Sequence, residues 1–148
     1  MILPDFKAFP PSGRILGIDW GLRRIGVAVS SLDREFVFVR DVIAVPKGAD
    51  AARLVGAVVR QENVNAVVVG LPVRSDGTES ETTQLVREFV AELEKVISQP
   101  IIFIEENLTS QAAQEEMGRV RVSDIKKKLD SESARVILEN AIAMINRA

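Results

Sequence analysis

The 148-residue chain has no cysteine and no histidine. Without cysteine there is no disulfide, no thiolate nucleophile and no sulfur-ligated zinc. Without histidine there is no Ser-His-Asp triad and no imidazole general base. Any metal must sit on oxygen ligands, which favours Mg²⁺ or Mn²⁺ over Zn²⁺. No apolar run reaches the roughly 18–20 residues needed to span a bilayer. Residues 1–13, with Pro4, Pro10 and Pro11, lack the apolar core of a signal peptide. The expectation is a cytoplasmic protein with no membrane partner. Charge of neither sign dominates: 19 Lys and Arg stand against 21 Asp and Glu, a net −2. That excludes an overall basic footprint, so nucleic-acid binding would need a local patch.

Hydrophobic residues make up 47% of the chain and charged residues 27%, the balance of a folded domain able to bury a core unaided. Internal repeats, low-complexity tracts and composition breaks are absent. Residues 1–13 read as a loose lead-in and 14–148 as a single domain. Residues 14–19, 24–31 and 35–45 read as strands with short links, hence antiparallel hairpins. A helix follows Asp50, with Ala52, Val55, Val58 and Val59 at helical spacing. The run Ala66-Val67-Val68-Val69-Gly70 predicts a strand buried on both faces. A helix over about 79–97, a strand at 101–104 and a short helix near 111–117, ending at Gly118, come next. Residues 119–129 are basic and carry no clear pattern. The last helix is expected to start near Asp130, with Ala134, Ile137, Leu138, Ala141, Ile142 and Ile145 on one face. This order predicts an α/β fold: a five-stranded mixed sheet of three antiparallel hairpin strands, then βαβ crossovers, with helices on both faces.

In open α/β sheets, ligands bind beyond the carboxyl ends of parallel strands. Three such ends carry Asp19-Trp20-Gly21, Gly70-Leu71-Pro72 and Glu105-Glu106-Asn107. Gly70 opens a Gly/Pro turn that admits close approach by another group. Asp19 directly follows an apolar strand and lies between Gly17 and Gly21, a costly place for an idle carboxylate. Asp130 lies four residues before Ala134, on the same helical stripe. Asp19, Asp130 and one of Glu105 or Glu106 could converge; neighbouring strand residues point to opposite faces, so the two glutamates cannot serve equally. Such acids repel one another unless a cation sits among them. One or two divalent ions would supply that charge and support in-line phosphoryl displacement, a hydrolysis needing neither His nor Cys.

Ordinary roles compete with each of these. Asp130 is a natural N-cap. Lys126, Lys127 and Lys128 read as a solvated loop, of interest because a phosphate backbone wants cations beside a cleavage site. Arg23 and Arg24, in the first hairpin, share that status. Asp76-Gly77-Thr78 reads as a turn plus cap before it reads as a phosphate site. Thr109 and Ser110 lack a base that would make them nucleophiles.

Four segments together resemble a known family. They are Gly17-Ile18-Asp19-Trp20-Gly21 with Arg24-Ile25-Gly26-Val27-Ala28; Val69-Gly70-Leu71-Pro72 with Asp76-Gly77-Thr78; Glu105-Glu106-Asn107-Leu108-Thr109; and Asp130-Ser131 through Ser133-Ala134 to Ile137-Leu138. The resemblance, over residues 14 to 146, is to the YqgF/RuvX group of Holliday-junction-resolvase-like proteins, described as pre-16S rRNA nucleases. It implies an RNase H-like fold and metal-dependent phosphodiester cleavage. It also implies a part in 5′-end maturation of 16S rRNA in the cytoplasm, with RNA and ribosomal precursor particles as partners. By position, Asp19, Glu106 and Asp130 match the family's acids, and Glu105 stands where it usually has Asp. Asn107 stands where the family has Arg, which removes a bidentate phosphate contact if that was its task. Arg119, Arg121 and the three lysines are the cations available to compensate.

Other readings remain open on the sequence alone. A resolvase of four-way DNA junctions would keep the fold and act as a dimer; the chain could be monomer or homodimer. A nucleic-acid-binding or ribosome-assembly factor would bind RNA without metal-dependent products. An actin-like or sugar-kinase ATPase needs two such domains, and 148 residues supply one.

Overall fold

The computed structural model describes residues 1–107 and 122–147, and the side chains of 1–106 and 132–147. Its centre is one mixed sheet of six strands: β1 (Ile2–Leu3), β2 (Ile15–Asp19), β3 (Arg24–Ser30), β4 (Val37–Ala44), β5 (Ala66–Val73) and β6 (Ile101–Asn107). The spatial order is β1-β6-β5-β2-β3-β4. The β2–β3–β4 meander is antiparallel, whereas β5 pairs parallel to β2 and β6 parallel to β5. Helices α1 (Ala51–Gln61) and α2 (Glu81–Val96) cover one face and α3 (Val122–Arg147) the other. This is the RNase H-like arrangement expected.

Local chemistry accounts for the boundaries. The Asp50 carboxylate accepts the Arg53 N–H at 3.2 Å and starts α1. Ser80 and Thr83 exchange side-chain and backbone bonds in a capping box at the start of α2. Each such cap contributes about 1 kcal/mol. Asp76 accepts from the N–H and hydroxyl of Thr78, and Gly77 takes φ +85°. That segment is therefore a turn ahead of the cap, as its composition suggests.

Strand alternation divides the core in two. Leu16, Ile18, Val27, Val29, Val67 and Val69 pack against α1 and α2. Ile15, Ala28, Ala66, Val68, Ile102 and Ile104 pack against Ala134, Ile137, Leu138 and Ala141 of α3. Gly17 brings α3 close: a β-carbon there would lie 2.8 Å from Leu138 Cβ and 3.0 Å from the Ala134 carbonyl oxygen.

Three expectations need correction. The sheet has six strands, not five, because the lead-in is packed: Ile2 and Leu3 pair with Ile101 and Ile102, and Phe9 is buried on the α3 side. Two residues are too few to show a periodicity. The last helix starts at Val122, not near Asp130. Lys126, Lys127 and Lys128 are thus helical, and Asp130 lies more than two turns inside rather than at an N-cap; in the sequence, Val122, Ile125 and Leu129 keep helical spacing but fall out of phase with the stripe from Ala134, so the helix was not read through them. Gly70-Leu71-Pro72 belongs to β5 and not to a turn. The helix expected near 111–117 lies outside the described residues.

Candidate active site

The carboxyl end of the parallel strands carries two described carboxylates on the α3 face. On β6, Ile102 and Ile104 face α3, so alternation puts Glu106 on that side and Glu105 on the other. On β2, Asp19 follows the parity of Ile15 and Gly17, again the α3 side. The β2–β5 ladder pairs Ile18 with Val69, so Gly70 stands beside Asp19 one step further. The Glu106 side chain leans across this glycine: its Oε2 lies 3.0 Å from where a Gly70 β-carbon would be. With adjacent strands about 4.8 Å apart, Gly70 leaves the space between the Asp19 and Glu106 strands free of a side chain. The same absent β-carbon would collide with Ile137 of α3, so one glycine seats both the helix and the carboxylate. Asp130 belongs to α3 one turn before Ala134.

Electrostatics separate the two glutamates. Glu106 is half-buried, and desolvation raises its carboxyl above the ordinary carboxylate range. Glu105 is exposed on the α2 face and interacts with the charge of Arg87. That guanidinium lies 5.3 Å from the Phe103 ring centre and bonds Glu79 at 2.8 and 3.0 Å, which holds Glu79 below its ordinary value. Among the described residues no three carboxylates form a metal-binding group; the pair is Asp19 and Glu106, and the Asp130 carboxylate lies outside the described side chains. The donors are hard oxygens and one is desolvated, which fits a divalent cation such as Mg²⁺ or Mn²⁺.

The cations named from sequence are scattered. Arg23 is exposed and Arg24 half-buried at the start of β3. Lys126, Lys127 and Lys128 lie on the first half of α3. Arg119 and Arg121, with Thr109 and Ser110, lie outside the described residues. Sequence reasoning missed Gly17 as a seat for α3, Gly70 as a strand residue between the acids (its close approach was expected, but in a turn), and Arg87 as the partner that occupies the other face. Small residues opposite one helical stripe were the available signal for the first two.

The model of the RuvX family, described as Holliday junction resolvase, matches residues 13–144. The chain belongs to this family. A RuvX relative from Maridesulfovibrio salexigens, named "Putative pre-16S rRNA nuclease", is 37% identical over 133 residues, covering 88% of this chain and 98% of its own. One of the same name from Rhizobium meliloti is 35% identical over 139 residues, covering 92% and 84%. Among solved structures, Thermus thermophilus RuvC in complex with Holliday junction substrate has a TM-score of 0.49 at 15% identity, over 88% of this chain and 94% of that one. The fowlpox virus Holliday junction resolvase has a TM-score of 0.48 at 12% identity, over 87% and 96%. The RuvX match spans all four sequence segments that suggested the family. Among the described residues, no helix is long and apolar enough to cross a membrane.

Proposed function

We propose that this RuvX protein is a metal-dependent nuclease that hydrolyses phosphodiester bonds of structured RNA, acting in 5′-end maturation of pre-16S rRNA in the cytoplasm. Asp19, Glu106 and Asp130 would hold Mg²⁺ or Mn²⁺. The observation that carries this reading is the Glu106 carboxylate laid over Gly70 beside Asp19, on the face that α3 covers. Glu105, turned to Arg87 on the opposite face, is left out of the set. A bound divalent ion supplies charge for a phosphoryl oxygen and lowers the pKa of an attacking water. The protein's part would be to orient: β2 and β6 carry two acids at the rim of the sheet, and Asp130, on α3, would complete the set. The substrate and the cellular role rest on the relatives' names. Ribosomal precursor particles are the expected setting, and Lys126, Lys127 and Lys128 the cations that would meet the RNA backbone.

The test is cleavage of a structured RNA precursor with Mn²⁺ or Mg²⁺ by wild type and by Asp19→Asn. The variant should fold normally and lose metal-dependent cleavage; cutting at the wild-type rate disproves the mechanism. Four-way DNA junctions belong in the same assay, since a strong preference for them would move the substrate from RNA to DNA.

A further inference from the structure

The β2–β5 ladder ends at Ile18 and Val69, whereas the β5–β6 ladder runs on through Gly70–Ile104, Leu71–Glu105, Pro72–Glu106 and Val73–Asn107. Asp19 therefore sits at the end of a strand inside the sheet, and Glu106 sits on a two-stranded overhang that projects past it. Two strands alone are marginal in water. This pair is weaker still, because Pro72, the residue opposite Glu106, has no N–H to give a ladder. A proline fits there because β5 has by then lost its β2 neighbour. Something else has to hold the overhang if two acids on different strands are to keep a fixed separation.

Thr83, in the first turn of α2, is fully buried, and its hydroxyl donates to the Pro72 carbonyl. The same oxygen accepts the Ser80 N–H at 2.9 Å. Threonine is suited to this double duty. The glutamate common at the third position of a capping box would accept the Ser80 N–H, but as a carboxylate it has no proton for Pro72. Thr83 thus joins the start of α2 to the strand residue paired with Glu106. Val73 and Glu79 add one antiparallel bridge just beyond.

We propose that Thr83 is a positioning residue for the candidate active site: its buried hydroxyl clamps the β5–β6 overhang to α2 and so fixes Glu106 relative to Asp19. The catalytic consequence rests on the nuclease reading above; the clamp itself does not. Thr83 lies on the α2 side of the sheet and touches neither acid's face, so it acts through the strand and not on a ligand.

The experiment compares wild type with Thr83→Val, Thr83→Ser and Ser80→Ala. Valine keeps the branched shape without the hydroxyl, serine keeps the hydroxyl, and Ser80→Ala damages the same cap while sparing the bond to Pro72. Amide hydrogen exchange of the metal-free protein reads the overhang, and cleavage of structured RNA with Mn²⁺ reads the consequence. In Thr83→Val, the protected amides among Leu71, Val73, Glu105 and Glu106 should exchange about 10- to 100-fold faster relative to those of Val67, Val68 and Val69, as when a buried acceptor is left unmet. The kcat should fall about 10-fold or more with KM within about threefold, since an acid is displaced and no substrate contact is removed. Thr83→Ser should restore both, and Ser80→Ala should stay within about threefold of wild type in both. Equal losses in Thr83→Val and Ser80→Ala overturn the proposal, because Thr83 would then only cap α2. Faster exchange spread evenly along β5, or a Thr83→Val chain that does not fold, also overturns it, because the hydroxyl would then hold the whole domain. So does wild-type kcat in Thr83→Val. If wild type itself cleaves no RNA, the nuclease reading falls, and the exchange comparison alone decides the clamp.

Discussion

Glu105 and Glu106 are neighbours in sequence on the same strand, yet they face opposite sides of the sheet and meet opposite conditions. On the α2 side, Arg87 lies on Phe103, bonds Glu79 and faces Glu105, so charge is matched within the protein. On the α3 side, Glu106 is half-buried, desolvated and set against a glycine. A face whose charges are already matched has little left to offer a ligand. On the α3 side the desolvated Glu106 carboxylate is the group with a charge to offer a cation.

The contrast breaks most visibly if activity ignores the face. Asp19→Asn and Glu106→Gln should each lower metal-dependent RNA cleavage by at least about 100-fold, while Glu105→Gln should stay within about threefold. Equal losses at both glutamates would erase the distinction between the sides. Gly70→Ala should do comparable damage to cleavage, because its methyl meets Ile137 and crowds Glu106. Its folding cost should be about 1–3 kcal/mol by urea titration, and full activity in that variant would mean that the clearing at Gly70 has no role.

A finer test uses pH. Burial raises the Glu106 carboxyl in the folded state, whereas in the unfolded chain it titrates near the ordinary value of about 4.3. Between those two values the folded state holds more protons, so this group's contribution to stability falls as pH rises. Metal-free Glu106→Gln should therefore gain on wild type in melting temperature between pH 4 and pH 7, and a gap independent of pH would contradict the assignment. The smallest effect belongs to the matched side. Arg87→Met should cost no more than about 1 kcal/mol of stability, as for exposed ion pairs, and should leave cleavage near wild type.

Much of this was legible beforehand. Short links after Asp19 and Ser31 gave the antiparallel meander, and the β-branched run at 66–69 gave a central parallel strand. Asp19 stood out because a carboxylate between two glycines at the end of an apolar strand has few other uses. The choice between Glu105 and Glu106 was not legible. Residues 101–104 are all apolar because β6 is covered on both faces, so the alternation that would reveal parity is erased. Only the packing of Ile102 and Ile104 on α3 settles it. The start of α3 was hidden for another reason: Val122, Ile125 and Leu129 are spaced as in a helix but out of phase with the stripe from Ala134, and basic residues lie among them. Strand β1 depends wholly on tertiary pairing, since nothing within Ile2 and Leu3 distinguishes them from any apolar pair.

The outermost strand, β4, carries a separate consequence. It displays Phe38, 46% exposed, and Val39, 41% exposed, along an unpaired rim that could template extension of the sheet into other molecules. Ile25 pairs with Ile43 but Val27 with Arg40, so two steps of β3 are matched by three of β4, and the rim is kinked at its midpoint. Arg40 stands there, braced by Glu62 at 2.8 Å. A copy annealing antiparallel about that position would set arginine against arginine. The kink and its guanidinium together discourage fibril-like stacking along a border that is otherwise sticky.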